Sequence, residues 1–295
     1  MRRSILNFQS KSGFFMVNFN GTLQENNTSI SPNNRGLNYG DAVFETLRIS
    51  GGKIYFWEDH YFRLMASMRI LRMEIPMSFT PEYLEEQVLN TINAQENSNK
   101  GFRAKILVWR KTGGKYTPST NDVAFLITTE PLENPFYTLQ DSFYEIELFK
   151  DHYINSGLLS TLKTNNKVLN VLGSVYAQEN DYANCLLLNE KKQVVEALNG
   201  NIFLVKGYKI KTPPLEDGCL NGILRKQIIK ILGAMPDYIL EETSVSPFEL
   251  QKADEIFITN VITGIQPVSK YRKKEYSQEV AKELLAKLNV KARLS

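Results

Sequence analysis

The sequence predicts a mixed α/β protein of two domains, and three observations carry that prediction. The chain has 295 residues, 42% apolar and 23% charged, which is enough to bury a core in one large unit or in two of about 150 residues each. Its strand-like segments come as hairpins about Asn-Gly and Gly-Gly turns, not in alternation with helices, which disfavours a doubly wound dinucleotide fold. Finally, Glu130-Pro131-Leu132-Glu133-Asn134-Pro135 breaks regular patterning near mid-chain. We therefore place an N-terminal α/β domain at 16–132, a linker at 133–137 and a C-terminal domain at 138–295. Residues 1–15 read as an upstream extension, leaving Met1 and Met16 as alternative starts.

In the first half, strands at 15–19 and 22–25 form a hairpin about Asn20-Gly21. A second hairpin, 44–50 with 53–57, turns at Gly51-Gly52. Leu64, Met68 and Leu71 share one side of a helix over 58–73. Thr80-Pro81 supplies the cap and first turn of a helix to Asn93, with Leu84, Val88 and Ile92 stacked at spacing four. Strands follow at 102–109 and 123–129. The second half reads as a strand at 143–149, an irregular stretch to 165 and a helix over 167–182. Strands at 185–188, 193–196, 201–205 and 208–211 precede a helix over 222–231. Ser246-Pro247-Phe248-Glu249 is a capping box. A strand at 255–259 and a last helix from Gln278 complete the series.

Composition excludes several classes of function. Thirty-five Lys+Arg against 32 Asp+Glu leaves +3, without the basic surplus of a nucleic-acid binder. No apolar run approaches the ~18 residues of a membrane span. Two cysteines and two histidines argue against a disulfide scaffold and against a metal site of the multi-Cys or multi-His kind. The N-terminal stretch lacks the apolar core of a secretory signal, so the chain reads as cytoplasmic with both thiols reduced. There is no G-x-G and no P-loop.

Ser160-Thr161-Leu162-Lys163 is an S-x-x-K, and Lys111-Thr112-Gly113 a K-T-G. Their order is the reverse of that in penicillin-binding acyl transferases, which disfavours that chemistry. Lys163 has a better reading. It lies before a helix, among Leu159, Leu162 and small polar residues, where partial desolvation would make its neutral amine accessible. Glu196, flanked by Val194, Val195, Ile202 and Phe203, reads as a half-buried carboxylate on a strand that needs a cationic partner. Gly222 opens a helix whose first N–H groups, at Ile223 and Leu224, favour a phosphate. A lysine, a buried acid and a phosphate cup are what pyridoxal phosphate requires.

Six segments together resemble the class IV aminotransferases, the fold-type IV group of pyridoxal-phosphate enzymes. They are RGLNYGDAVFETLRI (35–49), WEDHYFRLMASMRIL (57–71), LKTNNKVLNVL (162–172), VVEALNGNIF (194–203), LNGILR (220–225) and ITNVITGIQPV (258–268). The group holds branched-chain aminotransferases, D-amino-acid aminotransferases and aminodeoxychorismate lyases, and the resemblance runs from Met16 to Val268. It implies an N-terminal α/β sandwich, a C-terminal barrel-like domain, a cofactor in the cleft between them and a homodimer. It makes Lys163 the Schiff-base lysine and proton shuttle, and Glu196 the partner of the pyridine nitrogen. Arg63 and the backbone of Ile223 and Leu224 would bind phosphate, with Asn260 and Val261 as further contacts. Asn201 would steady the loop, and Tyr39 would line the substrate pocket.

The implied activity is ping-pong transfer of nitrogen from a small amino acid to a 2-oxo acid, in the manner of a branched-chain aminotransferase. The alternative is 4-amino-4-deoxychorismate lyase, releasing pyruvate and 4-aminobenzoate. Three positions depart from family patterns. Leu224 replaces a frequent Thr, Val168 stands where branched-chain enzymes carry a tyrosine, and Glu45 stands where one lyase form has Thr. Arg110, ending a strand before Gly113-Gly114, is either a solvated strand-end residue or a carboxylate clamp. His60 reads as helix packing or a surface cap.

Overall fold

The computed structural model describes residues 16–25, 29–95, 101–139 and 142–295; the extension at 1–15 lies outside the described residues. The Asn20-Gly21 turn, both residues at positive φ, closes β1 (Met16–Phe19) onto β2 (Thr22–Glu25). A single turn of helix, α1 (Arg35–Tyr39), is too short to show periodicity and is made by its caps. The Asn34 side chain accepts from the Leu37 N–H, and Gly40 takes a left-handed φ of 64°. β3 (Ala42–Ser50) and β4 (Lys53–Ile54) turn at Gly51-Gly52. α2 (Trp57–Ile70) stops short of Met73, because Arg72 adopts φ 55°. α3 (Pro81–Asn93) begins where expected, with the Thr80 hydroxyl accepting from the Tyr83 N–H.

β5 (Gly101–Arg110) and β6 (Val123–Leu132) complete a six-stranded antiparallel sheet in the order β2-β1-β6-β5-β3-β4. Leu64 and Met68 of α2 and Leu84 and Val88 of α3 pack on Leu47, Ile106 and Ile127 of this sheet. The break expected from Glu130 begins later. Pro131 and Leu132 still pair with Phe102 and Gly101. Proline is tolerated there because β1 meets β6 only at Leu126 and Ile127, so Pro131 lies on an edge.

The second half begins with β7 (Glu145–Ile154), longer than its sequence suggests. Asp151, His152 and Tyr153 are exposed, and the register with the neighbouring strand shifts between Phe149 and Ile154, which hides the strand in a polar run. α4 (Val168–Glu179) connects β7 to its parallel neighbour β8 (Asn184–Asn189). Next come β9 (Val194–Ala197), β10 (Asn201–Lys206), β11 (Lys209–Thr212) and α5 (Ile223–Leu232). β12 (Ile239–Glu242) pairs parallel with β11 and is missed by pattern, since its four residues are exposed or half-buried. The last elements are α6 (Pro247–Leu250), β13 (Glu255–Asn260), β14 (Gly264–Pro267), β15 (Lys270–Tyr271), β16 (Lys274–Glu275) and α7 (Glu279–Leu294).

These strands make two five-stranded sheets, β12-β11-β10-β13-β14 and β16-β15-β7-β8-β9. They enclose one apolar interior, with Ile146, Leu186 and Val194 from one sheet against Ile202, Ile256 and Ile258 from the other. α5 and α7 cover the outer face of the first sheet around Phe203, Phe257, Leu284 and Leu288. Arg48 of β3 ties the two halves. Its guanidinium donates to the carbonyls of Asn134, Phe136 and Ile262 and stacks 4.8 Å over the Tyr137 ring.

Candidate active site

Lys163 is positioned by strand-like docking across the two halves. Leu162 is extended, Phe44 N–H donates to the Lys163 carbonyl at 2.9 Å, and Asn165 N–H donates to Ala42 O at 3.0 Å. The alternation of an extended chain then sends Lys163 to one side and Leu162 and Thr164 to the other. Lys163 faces an inner cavity of about 370 Å³, whereas Leu162 and Thr164 line an outer one of about 640 Å³. The Lys163 Nζ lies 4.5 Å over the Phe44 ring. Burial first, then the charge of Arg63, push its amine down to about 8 against the pull of Glu45 and Glu196. The hydroxyl of Ser160 is engaged with Gly157 O at 2.7 Å, so the S-x-x-K pattern is incidental to the amine.

Arg63 projects from α2 into the inner cavity. Its Nε and Nη2 grip both oxygens of Glu45, at 2.7 and 2.6 Å, and its Nη1 donates to Asn221 O at 2.9 Å. A guanidinium has five N–H donors, so two remain for an anion. Glu45 is completed by His60, one turn before Arg63 on the same helix face, whose Nδ1 lies 2.7 Å from Glu45 Oε2. Burial alone would raise the Glu45 carboxyl, but the Arg63 charge and the His60 hydrogen bond hold it at about 2. His60 is fully buried, not a surface cap, and its Nε2 has no partner among the described residues. The F-E-T and H-x-x-R spacings contained this triad, but nothing local said that they meet.

Glu196 is buried on β9 and lines the outer cavity. Its carboxylate receives the Leu220 N–H at 2.8 Å, and burial pushes its pKa up against that bond and against Lys167 and Lys163. The next turn of chain is tied from the other side, since Asn201 Nδ2 donates to Leu220 O at 2.8 Å. Gly222, the N-cap of α5, has its Cα hydrogen directed at that amide; a Cβ there would lie 2.0 Å from Asn201 Oδ1. No side chain caps α5. The first-turn N–H groups of Ile223 and Leu224 therefore meet the inner cavity without a capping partner among the described residues.

Asn260 and Val261 also line the inner cavity, but part of their chemistry is engaged. Asn260 Oδ1 accepts from Ile262 and Thr263 N–H at 3.0 and 2.9 Å, and Val261 O accepts from Tyr137 Oη at 2.9 Å. The structure thus brings Lys163, Arg63, Asn201, Ile223, Leu224, Asn260 and Val261 around one cavity. It brings Tyr39, Arg110 and Glu196 to the other. Tyr39 is 41% exposed, with the Arg35 guanidinium 4.9 Å over its ring.

Arg110 is buried, which removes the solvated reading. Its Nε donates to Asp41 at 2.9 Å, Nη1 to Asn121 Oδ1 and to Arg72 O at 3.0 Å, and Nη2 to Leu71 O at 2.6 Å. In this arrangement four of its five N–H donors are held by protein, which leaves one and rules out a bidentate clamp.

The profile of amino-transferase class IV matches residues 42–271. A protein of Methanocaldococcus jannaschii assigned as a branched-chain-amino-acid aminotransferase is 28% identical over 269 residues, 91% of this chain and 92% of the relative. The aminodeoxychorismate lyase of Vibrio harveyi is 25% identical, over 82% of this chain and 87% of its own. Among solved structures, a branched-chain aminotransferase of Thermoproteus uzoniensis crystallised with norvaline shares the fold at a TM-score of 0.85, with 24% identity and 94% of both chains covered. The H-x-x-R helix, the lysine segment, the strand carrying the acid and the 42–49 part of the first segment fall inside the matched region, and the chain belongs to the class IV aminotransferase family.

Proposed function

We propose that this chain is a pyridoxal-phosphate-dependent aminotransferase that moves nitrogen from a small, branched-chain-like amino acid to a 2-oxo acid. Class IV aminotransferases are pyridoxal-phosphate enzymes, and the residues here fit that cofactor. The observation that carries the reading is an amine at about 8 in a cavity that Arg63 and the uncapped start of α5 also line. Arg63 and the Ile223 and Leu224 amides would hold the phosphate. Glu196, a buried carboxylate whose burial calls for a cation, would keep a proton on the pyridine nitrogen. When bound, the cofactor supplies the carbonyl carbon that takes up the amino group and the ring that delocalises the electron pair left at the substrate Cα.

The rest is done by the chain. Lys163 Nζ, desolvated beside Phe44, would be the base that takes the Cα proton and returns it to the carbon across the transferred nitrogen. The Glu45–His60 pair orients Arg63, and Asn201 fixes the loop that carries Leu220 to Glu196. The outer cavity, with Tyr39 at its mouth, would receive the substrate side chain.

Further calls on the whole protein belong to this reading. Four exposed apolar residues of α4, Val168, Val171, Leu172 and Val175, form an outward stripe that supports a homodimer. One core lies wholly within 16–132 and others mostly within 138–295, with Tyr55, Phe56 and Tyr137 packing into the latter, which supports domains at 16–132 and 138–295 joined by 133–137. Among the described residues no helix is long and apolar enough to cross a membrane, and we propose a cytoplasmic location.

The test is borohydride reduction of purified protein with pyridoxal phosphate, followed by peptide mapping. The label is expected on Lys163 and absent in Lys163→Ala, while Glu196→Gln retains cofactor but loses orders of magnitude in turnover. A label elsewhere, or near-normal turnover of Glu196→Gln, removes that residue from the mechanism. Nitrogen transfer to 2-oxoglutarate from several amino acids is run beside release of 4-aminobenzoate from 4-amino-4-deoxychorismate. The lyase reading is kept open by the Vibrio harveyi relative, and aminobenzoate as the sole product would establish it over transamination.

A further inference from the structure

The cations around the outer cavity are of two kinds. Arg35 and Arg110 both hold Asp41 Oδ2, at 2.8 and 2.9 Å. Their remaining bonds run to backbone carbonyls and to Asn121, with Arg35 holding Gly113 O and Lys115 O. Both are buried and already serve as internal ties. Lys167 differs. It is half-buried, lines the same cavity, and its ammonium has no hydrogen bond or ion pair among the described residues. Of the two carboxylates on this wall, Asp41 is held by two arginines and Glu196 accepts from the Leu220 N–H. Two arginines share the one Asp41 carboxylate, so the cavity is net positive, and Lys167 is the cation on it with no hydrogen bond or ion pair among the described residues.

Two physical costs meet at this ammonium. Burial disfavours its charged form and lowers its pKa, with Glu196 opposing and Arg63 adding to the fall. Lys167 is also the N-cap of the twelve-residue helix α4, and no side chain caps that helix. A cation at the positive end of a helix dipole is unfavourable, and the first-turn N–H groups lack an acceptor. One incoming carboxylate relieves both. The cavity wall mixes polar groups with Leu71, Ile154, Leu159, Leu162 and Leu169, and this aliphatic part suits an aliphatic side chain.

We infer that Lys167 Nζ anchors the carboxylate of an aliphatic amino-acid substrate in the outer cavity, where Arg110 has too few open donors for a bidentate grip. This rests on the aminotransferase reading for the identity of the ligand, but its test does not need turnover.

Valerate and its neutral isostere valeramide are titrated calorimetrically into the protein as purified. Charge-assisted hydrogen bonds lead us to expect valerate to bind at least about tenfold tighter than valeramide. Lys167→Met and Lys167→Gln should each weaken valerate about ten- to a hundredfold and leave valeramide unchanged, while Lys167→Arg keeps most of the preference. Equal binding of acid and amide by the unmodified protein overturns the inference. So does unchanged valerate binding in both neutral variants, or an equal loss of both ligands. A protein that fixes no pyridoxal phosphate with borohydride would sink the aminotransferase reading, yet the acid-to-amide comparison would still decide the role of Lys167.

Discussion

At the scale of single residues, burial acts on Glu45 and Lys163 in the same way, and their neighbours decide the outcome. Both charged forms are penalised by loss of water. Glu45 is rescued by a bidentate arginine and a histidine and ends at about 2; Lys163 faces an arginine of its own sign and ends at about 8. The Glu45 carboxyl is thus depressed from its ordinary 4.5 in the folded state. It contributes stability above pH 4.5, on the order of 3 kcal/mol, and that contribution is lost as pH falls through about 2. Glu45→Gln, which leaves Arg63 without its buried counter-charge, should lower Tm markedly at pH 7. The difference in Tm from the unmodified protein should shrink as pH drops from about 4.5 toward 2. A constant difference across that window would show that shape, not charge, holds the triad. The role of His60 was not legible from sequence, because a histidine on a helix takes its meaning from what it meets across the fold.

Among elements, the legible ones carry a local signal. α3 has a cap, a first-turn proline and an apolar ladder, and it begins at Pro81 as its sequence predicts. β12 and the end of β7 carry none, because edge strands and bulged strands do not alternate. The start of α5 shows how tightly an element can be set by a neighbour. Gly222 is needed for space, not for an unusual φ, since Asn201 Oδ1 occupies the volume of a side chain. Gly222→Ala should force Asn201 off Leu220 O, disturb the loop that reaches Glu196, and weaken uptake of pyridoxal phosphate by about tenfold, roughly one charge-assisted bond. Adding Asn201→Ala removes the obstructing amide and should recover part of that loss. Equal affinity in Gly222→Ala and the unmodified protein, read by absorbance titration, would mean that the loop yields freely.

For the whole molecule, the exposed stripe on α4 is the feature a monomer does not explain. Val168, Val171, Leu172 and Val175 recur at helical spacing and face away from the contacts that α4 makes with β7 and β8. Val171→Asp places a charge in the middle of this stripe. On the proposed homodimer, it should turn a sedimenting dimer into a monomer; a dimer that persists would put the interface elsewhere. Lys167 adjoins this stripe in sequence and lines the outer cavity, so dissociation should also reduce turnover.

By itself the sequence determined the order of most elements, the amine at Lys163, the acid at Glu196, the cation at Arg63 and the open helix start at Gly222. Each of these depends on periodicity, capping or a short ordered motif, all of which act over a few residues. Tertiary structure alone decided that four of the five Arg110 donors are held by protein, that His60 completes a buried triad with Glu45 and that Lys167 has no hydrogen-bond or ion-pair partner among the described residues. Those outcomes depend on which side chains compete for the same donors and acceptors, and chain segments far apart in sequence set that competition only when packing brings them within hydrogen-bond distance.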